Sequence, residues 1–271
     1  MAFTLVDGRP SDGVSTSDRG LLYGDGVFRT LRIRAGRPLN WAIQYRLLCD
    51  DCAALALPPP AEAVLLGEIR QLGAADAIAR IAVTRGVGQR GYGYADPVVP
   101  TRLVAVYPDV PVDTEAQREG VRVRRCALTL SEQRRLAGVK SLNRLENVLA
   151  RAEWRDPGIR EGLLLDGADR VIEATASNLF AVFGGRLVTP DLSRCGVRGA
   201  QRERILSLAG VAGVEAVVAD LPLSKLMGAD EAFLCNSVIG IWPVAACETR
   251  QWRRGPVTHA LQRLIEQHDA G

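Results

Sequence analysis

The sequence predicts an α+β protein of two domains, and three observations predict it. Strand-like runs dominate both halves, helical periodicity is interspersed among them, and one Pro- and Asp-rich stretch, PDVPVDT at 108–114, has linker composition. There is no internal repeat and no low-complexity segment. The expected division is a small N-terminal α+β domain over 1–108, a connector over 109–116 and a larger domain over 117–271. A chain of 271 residues with 47% hydrophobic content can bury a core in each.

Phe3 to Val6 and Val27 to Ile33 read as strands, with an Ala35-Gly36-Arg37-Pro38 turn leading back toward Leu39–Trp41. Asn40 is placed to cap a helix that runs to about Leu57, where Pro58-Pro59-Pro60 ends it. A second helix over about 61–72 precedes two apolar strands, Ala79 to Thr84 and Arg102 to Val106. After the connector, strand patterns resume at 121–130, 162–165, 171–183, 214–218 and 231–244. Helices are expected at about 142–154, 199–208 and 258–267.

Composition removes several function classes. The net charge is only +3 with acids and bases interspersed, so no basic face for nucleic acid is expected. No apolar run reaches the ~20 residues of a membrane span, and the opening MAFTLVDGRPSDG has turn chemistry where a signal peptide is apolar. A cytoplasmic location is the expectation. Six cysteines are scattered, the pair Cys49 and Cys52 has no second pair at zinc spacing, and the histidines are His259 and His268. Structural thiols and no metal site are expected. Gly86, Gly88 and Gly91 match a dinucleotide fingerprint, but GYADPVVP follows instead of a helix, so no dinucleotide site is expected.

Of 34 basic residues, only Lys140 and Lys225 are lysines. Arginine stays protonated and cannot form an imine, so any Schiff-base chemistry has two candidate side chains. Lys140, in AGVKSLNRLENVLARAEW, is expected at a helix entrance, with Leu142, Leu145, Val148 and Leu149 on one apolar face. In VIEATASNLF, Glu173 stands among apolar and small residues, and a carboxylate there needs a partner. A pyridinium nitrogen is one such partner.

Taken together, DRGLLYGDGVFRTL, RGVGQRGYG, KSLNRLENVLAR, EATASNLF and CNSVIGIWPV resemble, in order from residue 17 to about 245, the 4-amino-4-deoxychorismate lyase family of fold-type IV pyridoxal-phosphate enzymes. The resemblance implies a branched-chain-aminotransferase-like fold whose larger domain holds a mixed, barrel-like sheet. It implies pyridoxal 5'-phosphate as cofactor, Lys140 as the Schiff-base lysine and Glu173 as the partner of the pyridine nitrogen. Arg46, the loop Gly196-Val197-Arg198 and Ser237 would hold the phosphate, the loop through its backbone amides at a helix N-terminus.

It also implies 4-amino-4-deoxychorismate as substrate, 4-aminobenzoate and pyruvate as products, and a homodimer. Val238 and Ile239 would line the substrate side. Because the substrate carries two carboxylates, Arg90 and Tyr92, together with backbone amides near Val238 and Ile239, are candidate contacts, and Thr30 is a further one. The chain has Ile43 where the family often has a histidine. It has Leu145 where aminotransferase relatives place a tyrosine, which favours the lyase branch. A D-amino acid or branched-chain aminotransferase is the alternative on this fold, and a binding protein without catalysis is a third.

Overall fold

The computed structural model describes residues 3–270. It divides into two compact units, Met1–Pro111 with Val139–Asn143, and Val112–Gly138 with Arg144–Gly271. The segment that carries Lys140 therefore belongs with the N-terminal unit, although it lies in the second half of the sequence.

The first unit contains β1 (Phe3–Val6), β2 (Arg9–Pro10), α1 (Arg19–Tyr23), β3 (Gly26–Arg34), β4 (Arg37–Pro38), α2 (Trp41–Ala54), α3 (Glu62–Gln71), β5 (Ala77–Thr84) and β6 (Thr101–Pro108). Its sheet runs β2-β1-β6-β5-β3-β4, and every pairing is antiparallel. Alternation along β3 sends Val27, Leu31 and Ile33 into a core completed by Leu48 and Cys52 of α2 and Leu65 and Ile69 of α3. Arg29 lies on that buried side too. Its guanidinium is paired with Asp51 and bonded to the Leu47 carbonyl, which locks α2 to the strand.

Asn40 does not cap α2 through its side chain. Its backbone is left-handed, with φ of 54°, a conformation asparagine tolerates, and no side-chain capping bond forms. No helix follows the glycines at 86–91, since residues 85–100 contain neither helix nor strand.

The second unit contains α4 (Thr114–Glu119), β7 (Val121–Leu130), α5 (Leu145–Arg151), β8 (Ile159–Asp166), β9 (Val171–Ala174), β10 (Asn178–Phe183), β11 (Arg186–Pro190), α6 (Ala200–Ala209), β12 (Ala216–Ala219), α7 (Leu223–Leu226), β13 (Glu231–Asn236), β14 (Gly240–Cys247), β15 (Arg250–Gln251) and α8 (Pro256–Ala270). Its sheet is mixed and runs β12-β11-β10-β13-β14-β7-β8-β9, with β15 attached to β14. The parallel pairs are β11 with β12, β14 with β7 and β7 with β8. Phe180 and Phe233 stack at 5.0 Å beneath α6 and α8. Glu231 caps α8 by accepting from the Thr258 amide and hydroxyl.

Four expectations are corrected here. The run 171–183 is two strands separated by a turn at 175–177, and the run 231–244 is two strands separated by a turn at 237–239. The expected helix at 142–154 is only α5, and Leu145, Val148 and Leu149 on it are 73%, 59% and 60% exposed. Finally, Lys140 is not at a helix entrance. Residues 139–143 are extended alongside β3: the Lys140 carbonyl accepts from the Phe28 amide at 2.9 Å, and the Leu142 amide donates to Gly26 at 2.9 Å. Backbone committed to a neighbouring strand cannot turn into helix at the same residues.

Candidate active site

In the first unit, β3 builds the surroundings of Lys140. The lysine is half-buried, and Nζ lies 4.7 Å from the centre of the Phe28 ring. The same ring carries the Arg80 guanidinium, whose Cζ is 4.1 Å from its centre. Thr30, two residues beyond Phe28, shares its strand face and stands opposite Arg80 in the register of β3 and β5. Burial pulls the Arg80 pKa down from its ordinary value. The structure thus brings Lys140 and Thr30 to one strand face and adds Phe28 and Arg80, which the sequence reading missed. An arginine within a strand gave no sign of which ring it would meet.

The other lysine is placed differently. Lys225 is exposed on the short helix α7 with Nζ 5.5 Å from the Phe183 ring.

Arg46, Arg90 and Tyr92 lie on other elements of the first unit. Arg46 is on the exposed side of α2, 3.6 Å from Asp50. Arg90 and Tyr92 are exposed on the 85–100 loop, and Tyr92 packs its ring at 5.6 Å against Tyr23. That loop is held by a residue the sequence reading passed over. The buried Arg19 donates from Nη1 to the carbonyls of Gly91 (2.8 Å) and Gly93 (3.0 Å), and from Nη2 to that of Tyr92 (3.1 Å). Its Nε is paired with Asp25 at 3.0 Å, and Asp25 also holds Arg85.

In the second unit, Glu173 is buried on β9, and its Oε2 accepts from the Val197 amide at 2.7 Å. Gly196 permits this approach. Its φ is +86°, and a Cβ there would fall 2.6 Å from Ile172 Cγ2 and 2.9 Å from Leu192 Cδ2. The Arg198 amide donates to Gly138 at 2.9 Å, and the Gly138 amide donates to Gly196 at 2.9 Å. Gly138 stands two residues before Lys140 in the sequence.

In the loop expected to hold the phosphate, the amides of Val197 and Arg198 donate within the unit, one of them to Glu173. The Gly199 amide goes to Asn178 Oδ1 at 3.1 Å. The first-turn amides of α6, at Ala200, Gln201 and Arg202, have no intrahelical acceptor, the arrangement by which helix N-termini hold anions. Gln201 is buried there, and among the described residues its Nε2 has no hydrogen-bond partner.

Ser237, Val238 and Ile239 form the turn between β13 and β14 and are half-buried. The amides of Val238 and Ile239 donate to Asn236 Oδ1 at 2.8 and 2.9 Å, so the side chain of Asn236 takes the donors that the sequence reading gave to the substrate. Burial pushes the Cys52, Cys126 and Cys195 thiols up to about 12, which keeps them protonated at neutral pH. Among the described residues no helix is long and apolar enough to cross a membrane.

The family described as amino-transferase class IV matches residues 26–247. The aminodeoxychorismate lyase of Vibrio harveyi is 32% identical over 242 residues, covering 89% of each chain. The D-alanine aminotransferase of Listeria monocytogenes is 29% identical over 263 residues, covering 93% of this chain and 89% of the other. Among solved structures, the 4-amino-4-deoxychorismate lyase of Pseudomonas aeruginosa superposes with a TM-score of 0.94 at 44% identity, covering 97% of this chain and 98% of the other.

Proposed function

The chain belongs to the amino-transferase class IV family, and from that premise we propose that it is a pyridoxal-phosphate-dependent lyase that splits 4-amino-4-deoxychorismate into 4-aminobenzoate and pyruvate. The observation that carries the reading is the setting of its two lysines: Lys225 is exposed on a surface helix, while Lys140 is half-buried with its amine over Phe28.

The donor set suits this cofactor. Lys140 supplies an amine for the aldehyde, and Glu173 a buried carboxylate for the ring nitrogen. Gly196 supplies a backbone that a larger residue would crowd. Arg46, Arg198 and Ser237 remain the proposed phosphate contacts, with the first turn of α6 beside Arg198, and Val197 serves to fix Glu173. When bound, the cofactor supplies a sink for the electrons of a broken C–H bond.

Lys140 Nζ takes the proton from C4 of the substrate ring. The ring then becomes aromatic as the C–O bond to the enolpyruvyl group breaks. Lys140 returns a proton to the methylene carbon of the departing enolpyruvate, which leaves as pyruvate, so atoms balance without water or an external oxidant. Glu173 keeps a proton on the ring nitrogen. Thr30, Arg90, Tyr92, Val238 and Ile239 are the proposed substrate contacts. The proposal includes a homodimer, which the resemblance implies, and a cytoplasmic location, which the sequence composition implies.

Leu145 supports elimination over transamination, because a leucine offers no phenol to the cofactor. The test is to load the protein with pyridoxal phosphate, add 4-amino-4-deoxychorismate and quantify both products. Equimolar 4-aminobenzoate and pyruvate support the lyase. No product, together with amino transfer from D-alanine or a branched-chain amino acid to a 2-oxo acid, replaces it with an aminotransferase.

A further inference from the structure

Glu161, on β8, is 5% exposed, and among the described residues no basic side chain pairs with it. A buried carboxylate without a cation is costly to keep, so its acceptors must be used. They are used on one turn. The Thr175 hydroxyl donates to Oε2, and the Ala176 amide (3.0 Å) and Ser177 hydroxyl (3.0 Å) donate to Oε1. That turn joins β9, which carries Glu173, to β10, which begins at Asn178. Burial pushes the Glu161 carboxyl up, and the two hydroxyls and the amides of Ala176 and Gly162 pull against it.

The bonds continue in one direction. Asn236 Nδ2 donates to the Ala176 carbonyl at 3.1 Å and to Ser177 Oγ at 3.2 Å. This fixes the carboxamide so that Oδ1 faces the amides of Val238 and Ile239. Ser177 gives its proton to Glu161 and accepts from Asn236, a polarity that requires an acceptor at Glu161. A Glu161→Gln amide has one oxygen where the carboxylate has two. Its NH2 would face a donor, and the hydroxyl of Ser177 or Thr175 would have to turn away.

We propose that Glu161 is a positioning residue for Val238 and Ile239, the two residues whose amides Asn236 holds, acting through Ser177 and Asn236, and that it thereby sets how tightly the substrate is held. The proposal rests on the reading above that these two residues lie on the substrate side. Glu161 itself touches neither substrate nor cofactor. Its effect is on substrate affinity, with the proton transfers at Lys140 left intact.

The experiment compares the cofactor-loaded wild type with Glu161→Gln, Asn236→Ala and the double variant. Its readouts are KM and kcat for 4-aminobenzoate formation, the cofactor dissociation constant, and amide exchange of the peptide spanning 236–240. Glu161→Gln is expected to raise KM about tenfold, the change that ~1.4 kcal/mol makes, and to speed exchange of that peptide, with kcat and cofactor affinity held within about twofold, a change of ~0.4 kcal/mol. The double variant is expected to have the KM of Asn236→Ala alone, because the two residues act in one chain.

An unchanged KM with unchanged exchange overturns the proposal. So does a proportional loss of kcat, cofactor affinity and thermal stability, which marks a merely structural residue. If Glu161→Gln does not fold, Ser177→Ala removes the middle link and must show the same pattern. If the wild type forms no 4-aminobenzoate, the functional reading fails. The exchange of the 236–240 peptide then decides by itself whether Glu161 governs the turn.

Discussion

The Val197 amide donates a 2.7 Å hydrogen bond to Oε2 of Glu173, which ties the loop before α6 to the one acid on β9. The loop can come so close because Gly196 is left-handed and lacks a Cβ. The backbone of the loop thereby helps to hold Glu173 in one orientation, which suits a carboxylate that must face a ring nitrogen.

Replacing Glu173 by Gln keeps an oxygen for the Val197 amide and removes the charge. The fold should survive while kcat at saturating cofactor falls on the order of a hundredfold or more, the scale of losing one preorganised electrostatic partner. Steady-state kinetics with a thermal melt check this, and a variant with wild-type kcat would remove Glu173 from the chemistry.

Gly196→Ala should destabilise by about 1–3 kcal/mol, from a left-handed alanine and overpacking. The added methyl would lie 2.6 Å from Ile172 Cγ2 and 3.4 Å from Glu173 Oε2. Urea unfolding measures this. An unaltered midpoint would mean that the loop yields without strain.

Arg19→Ala strips partners from three loop carbonyls and from Asp25. The expected cost is about 2–3 kcal/mol, typical of hydrogen bonds to a charged group. Limited proteolysis should cut within residues 85–100 faster than in the wild type. Equal cutting rates would show that the loop is held without the Arg19 side chain.

Asp166 shapes the β8–β9 hairpin, accepting from the amides of Ala168 and Arg170 and pairing with Arg170 Nε at 2.7 Å. Burial alone would raise its pKa, but the Arg170 guanidinium and these amides outweigh it and hold the carboxyl below its ordinary value. A depressed folded pKa contributes stability that is present above the unfolded value, about 4, and is lost as pH falls through the lower folded value. Asp166→Asn should therefore be less stable than wild type by about 1–3 kcal/mol near neutral pH, and the gap should close in acid. A gap that is constant with pH would contradict this.

Much of this was legible in the sequence for local reasons. Alternating apolar residues marked β3 and β7, and the three prolines at 58–60 marked the end of α2 closely. Lys140 stood out because arginine fills nearly every other basic position. What escaped depended on distant partners. The 175–177 turn is formed by Glu161, which lies 14 to 16 residues away, and Gly91, Tyr92 and Gly93 of the 85–100 loop are held by Arg19, 72 to 74 residues away. The apolar periodicity after Lys140 read as a buried helix, yet residues 139–143 pair with β3, and Leu145, Val148 and Leu149 are exposed. Periodicity reports which residues share a face and does not report what covers it.

The central claim is that Lys140 is the lysine that holds the cofactor and moves the protons. The most direct measurement is borohydride reduction of the cofactor-loaded protein followed by peptide mapping, with product formation assayed in the wild type and in Lys140→Ala. The account predicts a pyridoxyl group on the Lys140 peptide and none on the Lys225 peptide, with 4-aminobenzoate and pyruvate formed by the wild type and abolished in the variant. A label on Lys225, or undiminished product from Lys140→Ala, would contradict it.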